Sequence, residues 1–262
     1  MSLLFNWRRR REAVPGSGIE ISEQGGVRYL HLGSDTIQSA MRLSDPNELV
    51  LSYTRSMMGF LLFCPQPQRL LNIGLGGGST AKWIYRNLPQ AQQLVLELDS
   101  RVIAVARQFF NVPQDDGRFR VLACDGADWI AQHPQCADVI LLDGYTGKAQ
   151  AGQLATDEFY ALAGAALTRE GVMVVNLWGS DRMFDLSLQR IERAFDGRIC
   201  LLPAEQRGNV IVFAFQRRPT HLRWDELRER AAQLQQRTGL EFPRLVDGLR
   251  KLNPEDGKRL LI

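Results

Sequence analysis

Between residues 70 and 143 the chain repeats one pattern, an apolar run that ends in residues able to bind something. The run "LLNI" opens into Gly74-Leu75-Gly76-Gly77-Gly78 and then into "STAKWI". Glycines at such a turn tolerate positive φ and let a ligand approach the backbone, while the helix start behind them offers unpaired N–H groups. The run "LVLE" ends in Glu97, close to the offset of about 20 residues from the first glycine at which a carboxylate accepts both hydroxyls of a ribose diol. In "LACDGADWI", Asp125 can accept from an adenine amino group while Gly126 or Ala127 passes beneath the ring, or it can cap the helix that follows. Both readings of Asp125 stand. "ILLDGY" ends in Asp143, where reacting atoms would sit, and an acid after so apolar a run is costly to leave unpaired.

Taken together, three acids and a glycine turn at successive strand ends describe a site for a sulfonium nucleoside. The G-x-G-x-G spacing at Gly74, Gly76 and Gly78 is complete, whereas the dinucleotide fingerprint G-x-G-x-x-G fails at Ser79, which argues against a nicotinamide cofactor. His31, His133 and His221 are scattered, and Cys64, Cys124, Cys136 and Cys200 show no C-x-x-C spacing, so no metal is expected. The cysteines read as free thiols of a reducing compartment. No run approaches the roughly 20 apolar residues that cross a bilayer, and a cytoplasmic protein without membrane partners is expected. The net charge of +3 comes from Arg8, Arg9, Arg10 and Arg11, without which 28 basic side chains face 29 acidic ones. That run reads as a solvated flexible arm, and nucleic acid is not expected as a partner.

The elements that must hold these residues follow from the rhythm of the chain. Residues 1–17 form the basic arm. Residues 18–66 begin with short alternating runs punctuated by Gly25-Gly26 and Gly33, a small antiparallel meander. A helix follows, with Asp45 as N-cap, Pro46 at its first position and an apolar register reaching Phe63. Residues 67–216 alternate strands and helices, and the strands are continuously apolar, as in a parallel sheet covered on both faces. The fold class is α/β, a doubly wound, mostly parallel Rossmann-like sheet with a small N-terminal antiparallel β-domain. Residues 217–262 read as two amphipathic helices broken near Gly239 and Pro243.

At this point the chain resembles the spermidine synthase family of aminopropyltransferases, across roughly residues 18–216. The resemblance rests on "GLGGGS", "LELD", "CDGADW", "DVILLD" and "LATDEFYALAGAALTREGVMVVNL". It implies decarboxylated S-adenosylmethionine as co-substrate, whose aminopropyl group an amine takes by attack on the carbon beside sulfur. It further implies that Glu97 binds ribose, that Asp125 with Gly126 binds adenine, and that Gly74, Gly76, Gly77 and Gly78 cradle the nucleoside. Gln38 and Tyr53 match positions lining the active site, Asp143 matches the first acid of the catalytic loop, and Tyr145 is its polar neighbour. A homodimer or homotetramer is implied in the same way.

The departures carry as much meaning. The family turn usually reads G-G-G-D-G, its acid holding the ammonium of the aminopropyl tail, and Gly77 stands there. The usual D-S-S/T-D-P loop is "DGYTG", with Thr146 and Gly147 in place of its last acid and proline, and Thr54 and Arg55 replace a histidine and a glutamate. From Gly144 to Thr156 the loop holds Lys148 and no acid, which suits a less cationic acceptor than a diamine. Two readings therefore stand beside aminopropyl transfer: a methyltransferase using intact S-adenosylmethionine, and a non-catalytic nucleoside-binding homologue.

Overall fold

The computed structural model describes residues 10–14, 18–33, 36–146, 149–150, 152–205 and 208–262, the side chains of 10–14 and 145–150 excepted. Strands β1 (Arg10–Val14), β2 (Ile19–Gln24), β3 (Val27–Leu32) and β4 (Ile37–Arg42) form an antiparallel sheet in that order. The meander expected over residues 18–43 is β2 to β4, turning at Gly25 and Gly26 with φ of 59° and 75°. Strand β1 departs from the expectation of a flexible arm. Arg10 and Arg11 register against Glu23 and Ser22 of β2, because a free strand edge presents unpaired N–H and C=O groups that any adjacent extended segment satisfies. Arg8 and Arg9 lie outside the described residues.

Helix α1 (Ser52–Met57) continues as a 3-10 turn over Met58–Leu62. It starts later than the Asp45-Pro46 signal suggests. The Asp45 carboxylate accepts from Asn47 N–H at 3.1 Å and its carbonyl from Glu48 N–H at 3.1 Å, so these groups close a tight turn and the chain extends again before Ser52.

The alternating region then runs β5 (Arg69–Ile73), α2 (Ser79–Asn87), β6 (Gln92–Glu97), α3 (Ser100–Phe109), β7 (Phe119–Ala123), α4 (Gly126–Ala131) and β8 (Ala137–Leu142). Two short strands, β9 (Tyr145–Thr146) and β10 (Ala149–Gln150), precede α5 (Asp157–Ala166), β11 (Leu167–Trp178), α6 (Phe184–Ala194), β12 (Ile199–Pro203) and β13 (Asn209–Phe215). The large sheet has the order β12-β13-β11-β8-β5-β6-β7. From β11 to β7 it is parallel, while β13 and β12 are antiparallel additions. Alternate residues of each strand enter opposite cores: Leu70, Val139, Leu141, Val172 and Val174 lie on one face, Leu71, Ile140, Leu142, Met173 and Val175 on the other. Burial on both faces is why these strands read as unbroken apolar runs.

The chain winds outward from β5 in one direction through β6 and β7, and in the other through β8 and β11. The order reverses between β5 and β8, which places a crevice at the carboxyl ends of the strands. The N-terminal sheet leans over this crevice, with Ile19, Ile21, Leu30 and Met41 packed on Val102, Val105 and Phe110 of the α3 region. Helices α7 (Trp224–Thr238) and α8 (Phe242–Leu252) bury Trp224, Leu227, Phe242, Val246 and Leu249 against the face holding Phe60, Leu61 and Phe213. Gly239, at φ 75°, ends α7, and Pro243 sits in the first turn of α8 rather than breaking it. No helix among the described residues is long and apolar enough to cross a membrane.

Candidate active site

The glycine turn leaves β5 with Gly74, Gly76 and Gly78 at φ of 95°, 52° and 69°. A Cβ on Gly74 would lie 2.5 Å from the Asp143 carbonyl oxygen, and one on Gly78 would lie 2.4 Å from Val112 Cγ2. The turn therefore needs glycine both for its dihedrals and for the close approach of the loop after β8. Glu97 fastens the turn to β6: its Oε2 accepts from Leu75 N–H at 2.9 Å and its Oε1 from Asp99 N–H at 3.1 Å. Each carboxylate oxygen keeps a further lone pair for a ligand.

Gly77 N–H donates to Ser39 Oγ at 2.8 Å, joining β4 to the turn. A Cβ at position 77 would lie 2.8 Å from Ser39 Cβ and 3.0 Å from the Phe110 ring. The space that an acidic side chain would leave from is already filled, so the absence of an acid at Gly77 goes together with the presence of Ser39.

Asp143 begins where β8 ends, its N–H donating to the Ile73 carbonyl at 3.0 Å. Its carboxylate accepts from Asn176 Nδ2 at 2.8 Å and from the Tyr53 hydroxyl, whose oxygen lies 3.3 Å from the Gln38 carbonyl. Burial pushes the Asp143 pKa above the ordinary carboxylate value, and the hydrogen bonds from Asn176 and Tyr53 oppose that rise. Such a group, with a lifted proton affinity and oriented by two donors, can bind an ammonium or receive its proton.

Asp125 is the N-cap of α4, its Oδ1 accepting from Ala127 N–H at 2.7 Å, while its Oδ2 accepts from Gln153 Nε2. Gly126 forms the floor beside it, since a Cβ there would meet Ile73 Cγ2 at 2.6 Å.

Gln38, Gly74, Gly76, Glu97, Gly126 and Asp143 line one cavity of about 360 Å³, within the range of small-ligand sites. Tyr53 reaches Asp143 from behind, and Gly77, Gly78 and Asp125 support the wall without lining it. Tyr145 and Thr146 have their backbones in β9, but their side chains, with Gly147 and Lys148, lie outside the described structure. The cavity also takes Ser39, Asp99, Cys124, Gln153 and Leu154, none of which the sequence reading placed in the site. Gln153 and Leu154 carry no local signal. Asn176 does carry one, a single amide inside the apolar run "VMVVNLW". Among the described lining residues Glu97, Asp99 and Asp143 are acidic and none is basic, so the cavity favours a cation. The Arg101 guanidinium hydrogen-bonds Asp99 and holds its pKa below the ordinary value.

The spermine/spermidine synthase domain model matches residues 50–196. A polyamine aminopropyltransferase of Chromobacterium violaceum is 44% identical over 256 residues, covering 97% of this chain and 98% of its own. Another, from Neisseria meningitidis serogroup A, is 43% identical over 254 residues, 96% of this chain and 97% of its own. Among solved structures, a spermidine synthase in complex with the transition-state analogue AdoDATO shares the fold at a TM-score of 0.63, with 23% identity over 76% of this chain and 70% of that one.

Proposed function

Because the chain belongs to the spermine/spermidine synthase family, we propose that it transfers the aminopropyl group of decarboxylated S-adenosylmethionine to an amine, as in polyamine biosynthesis. The observation that carries this reading is the cavity lining, in which acids project beside the glycine turn with no basic side chain among the described residues. A sulfonium nucleoside and an amine acceptor are both cations, and a wall of carboxylates attracts both. Glu97 would accept from the ribose hydroxyls. Asp125, Gly126 and Gln153 would flank the adenine, and the glycine turn would lie under the nucleoside.

Asp143 then holds the acceptor amine in reach of the reactive carbon. The amine nitrogen attacks the carbon beside sulfur, the carbon–sulfur bond breaks with its electron pair passing to sulfur, and methylthioadenosine leaves. The proton lost by the amine goes to Asp143, whose raised proton affinity suits that role. Tyr53 and Asn176 hold the carboxylate in place while this happens.

The acceptor side is altered relative to the family pattern at Thr146, and the co-substrate's aminopropyl side at Gly77, since acids are usual at both. An acceptor less cationic than a diamine fits the loss at Thr146. An assembly of two or four copies belongs to the same reading, and sedimentation velocity measures it directly.

Calorimetry with methylthioadenosine, S-adenosylmethionine and its decarboxylated form tests the nucleoside half, and turnover with putrescine, spermidine and monoamines tests the acceptor half. The expected result is preference for the decarboxylated compound and aminopropyl transfer to at least one amine. Glu97→Ala should weaken nucleoside binding by about 10-fold or more, the worth of hydrogen bonds to a charged group. Methyl transfer from intact S-adenosylmethionine, or tight nucleoside binding without turnover of any amine, would replace this reading with a methyltransferase or a binding protein respectively.

A further inference from the structure

Asn176 is 3% exposed near the carboxyl end of β11, within a run of otherwise apolar side chains from Val172 to Trp178. Its Nδ2 donates inward to Asp143 Oδ1 at 2.8 Å, and its Oδ1 accepts from Asn209 Nδ2 at 2.9 Å. Asn209 opens β13, opposite Trp178 in the antiparallel ladder with β11, so its side chain approaches Asn176 from the neighbouring strand. A carboxamide has a donor end and an acceptor end. Facing an ionised Asp143, Asn176 must turn its donor inward, which leaves its buried carbonyl pointing away from the site. The Asn209 amide supplies a donor to that carbonyl, so the inward orientation of Asn176 is matched by a hydrogen bond on its outer side.

We propose that Asn209 is a positioning residue of the active site, acting through Asn176 to hold Asp143 ionised and oriented for the acceptor amine. The proposal rests on the reading of Asp143 as amine anchor and base. Asp143 is faced by Tyr53 from α1, by Asn176 from β11, by Cys124 at the end of β7, and across the cavity by Glu97 and Asp99 at the end of β6. No lysine or arginine among the described residues lines the cavity. Donors of the uncharged kind are therefore what favour its ionised form, and the outer amide matters because it stabilises one of them. Burial by itself lifts the Asp143 pKa and hydrogen bonds lower it. Removing support from a donor moves the pKa further up.

The test uses the full-length chain with carbon-13-labelled aspartate, the Asp143 carboxyl signal being assigned by its loss in Asp143→Asn. Its titration is followed in the parent, in Asn209→Ala and in Asn209→Asp, alongside the acid limb of kcat/KM with decarboxylated S-adenosylmethionine and an amine acceptor. Asn209→Asp keeps the shape but can only accept, so Asn176 must turn its N–H outward and present its carbonyl to Asp143. The expected result is a rise in the Asp143 midpoint in Asn209→Ala and a larger one, about one pH unit or more, in Asn209→Asp. The acid limb should follow it.

In an Asn176→Ala background the Asn209→Asp effect should vanish, because the route runs through that amide. An unchanged Asp143 titration would overturn the proposal, and so would a shift that persists without Asn176, since the new charge would then act through space. If the parent shows no amine turnover, the proposed function fails while the carboxyl titration still decides whether Asn209 positions Asp143.

Discussion

At the scale of single residues, Asp143 concentrates the opposing forces of the site. Burial works against its charge and the donors from Asn176 and Tyr53 work for it, with burial the larger effect. Its folded-state pKa lies above its unfolded one, so its contribution to stability is complete below the ordinary value of 3.8 and declines as pH rises through the folded-state pKa. Asp143→Asn should therefore raise the melting temperature at neutral pH while abolishing turnover, and the gain should shrink as pH falls toward 3.8. Thermal scans across that range check it, and a variant that melts lower than the parent at pH 7 would contradict the sign. Asp143 could be picked out from the sequence because it ends an apolar run. Asn209, 66 positions further along, could not, since nothing local in "RGNVIVF" links it to a carboxylate.

At the scale of elements, the glycine turn and β4 form one unit. Ser39 takes the hydrogen bond from Gly77 and occupies the volume into which a side chain at 77 would grow. Gly77→Asp should destabilise the protein by about 1–3 kcal/mol, the usual consequence of overpacking. Adding Ser39→Gly should recover about 1 kcal/mol, a coupling expected of residues in contact. Urea denaturation of the parent, both single variants and the double variant measures this cycle, and strict additivity would show that the two positions are independent. The sequence reading noted the missing acid. That its place is closed by a serine 38 residues earlier depends on how β4 docks against the large sheet.

At the scale of the whole molecule, the C-terminal helices seal an open sheet edge as well as a core face. Strand β12 lies at one end of the sheet, where its outward N–H and C=O groups would be free to pair with another chain. Asn253, just after α8, meets them: its Oδ1 accepts from Leu201 N–H at 2.6 Å, and its Nδ2 donates to the Leu201 carbonyl at 2.7 Å and the Leu249 carbonyl at 2.6 Å. Asn253→Ala should cost about 2–3 kcal/mol and make the protein more prone to associate through β12. Chemical denaturation with light scattering checks both effects, and a variant as stable and as monodisperse as the parent would show that the edge is protected some other way.

The sequence by itself determined the alternating order of strands and helices, the parallel sheet, and the strand ends where binding residues stand. These follow from local periodicity and from the steric demands of glycine, which act over a few residues at a time. It missed the start of α1, the pairing of β1, and every contact between residues distant in the chain: Ser39 with Gly77, Gln153 with Asp125, Asn209 through Asn176 with Asp143. Only the tertiary structure decided these, because each depends on which surfaces meet when the N-terminal sheet, the crossover helices and the antiparallel edge strands dock, and docking leaves no periodic trace in the chain.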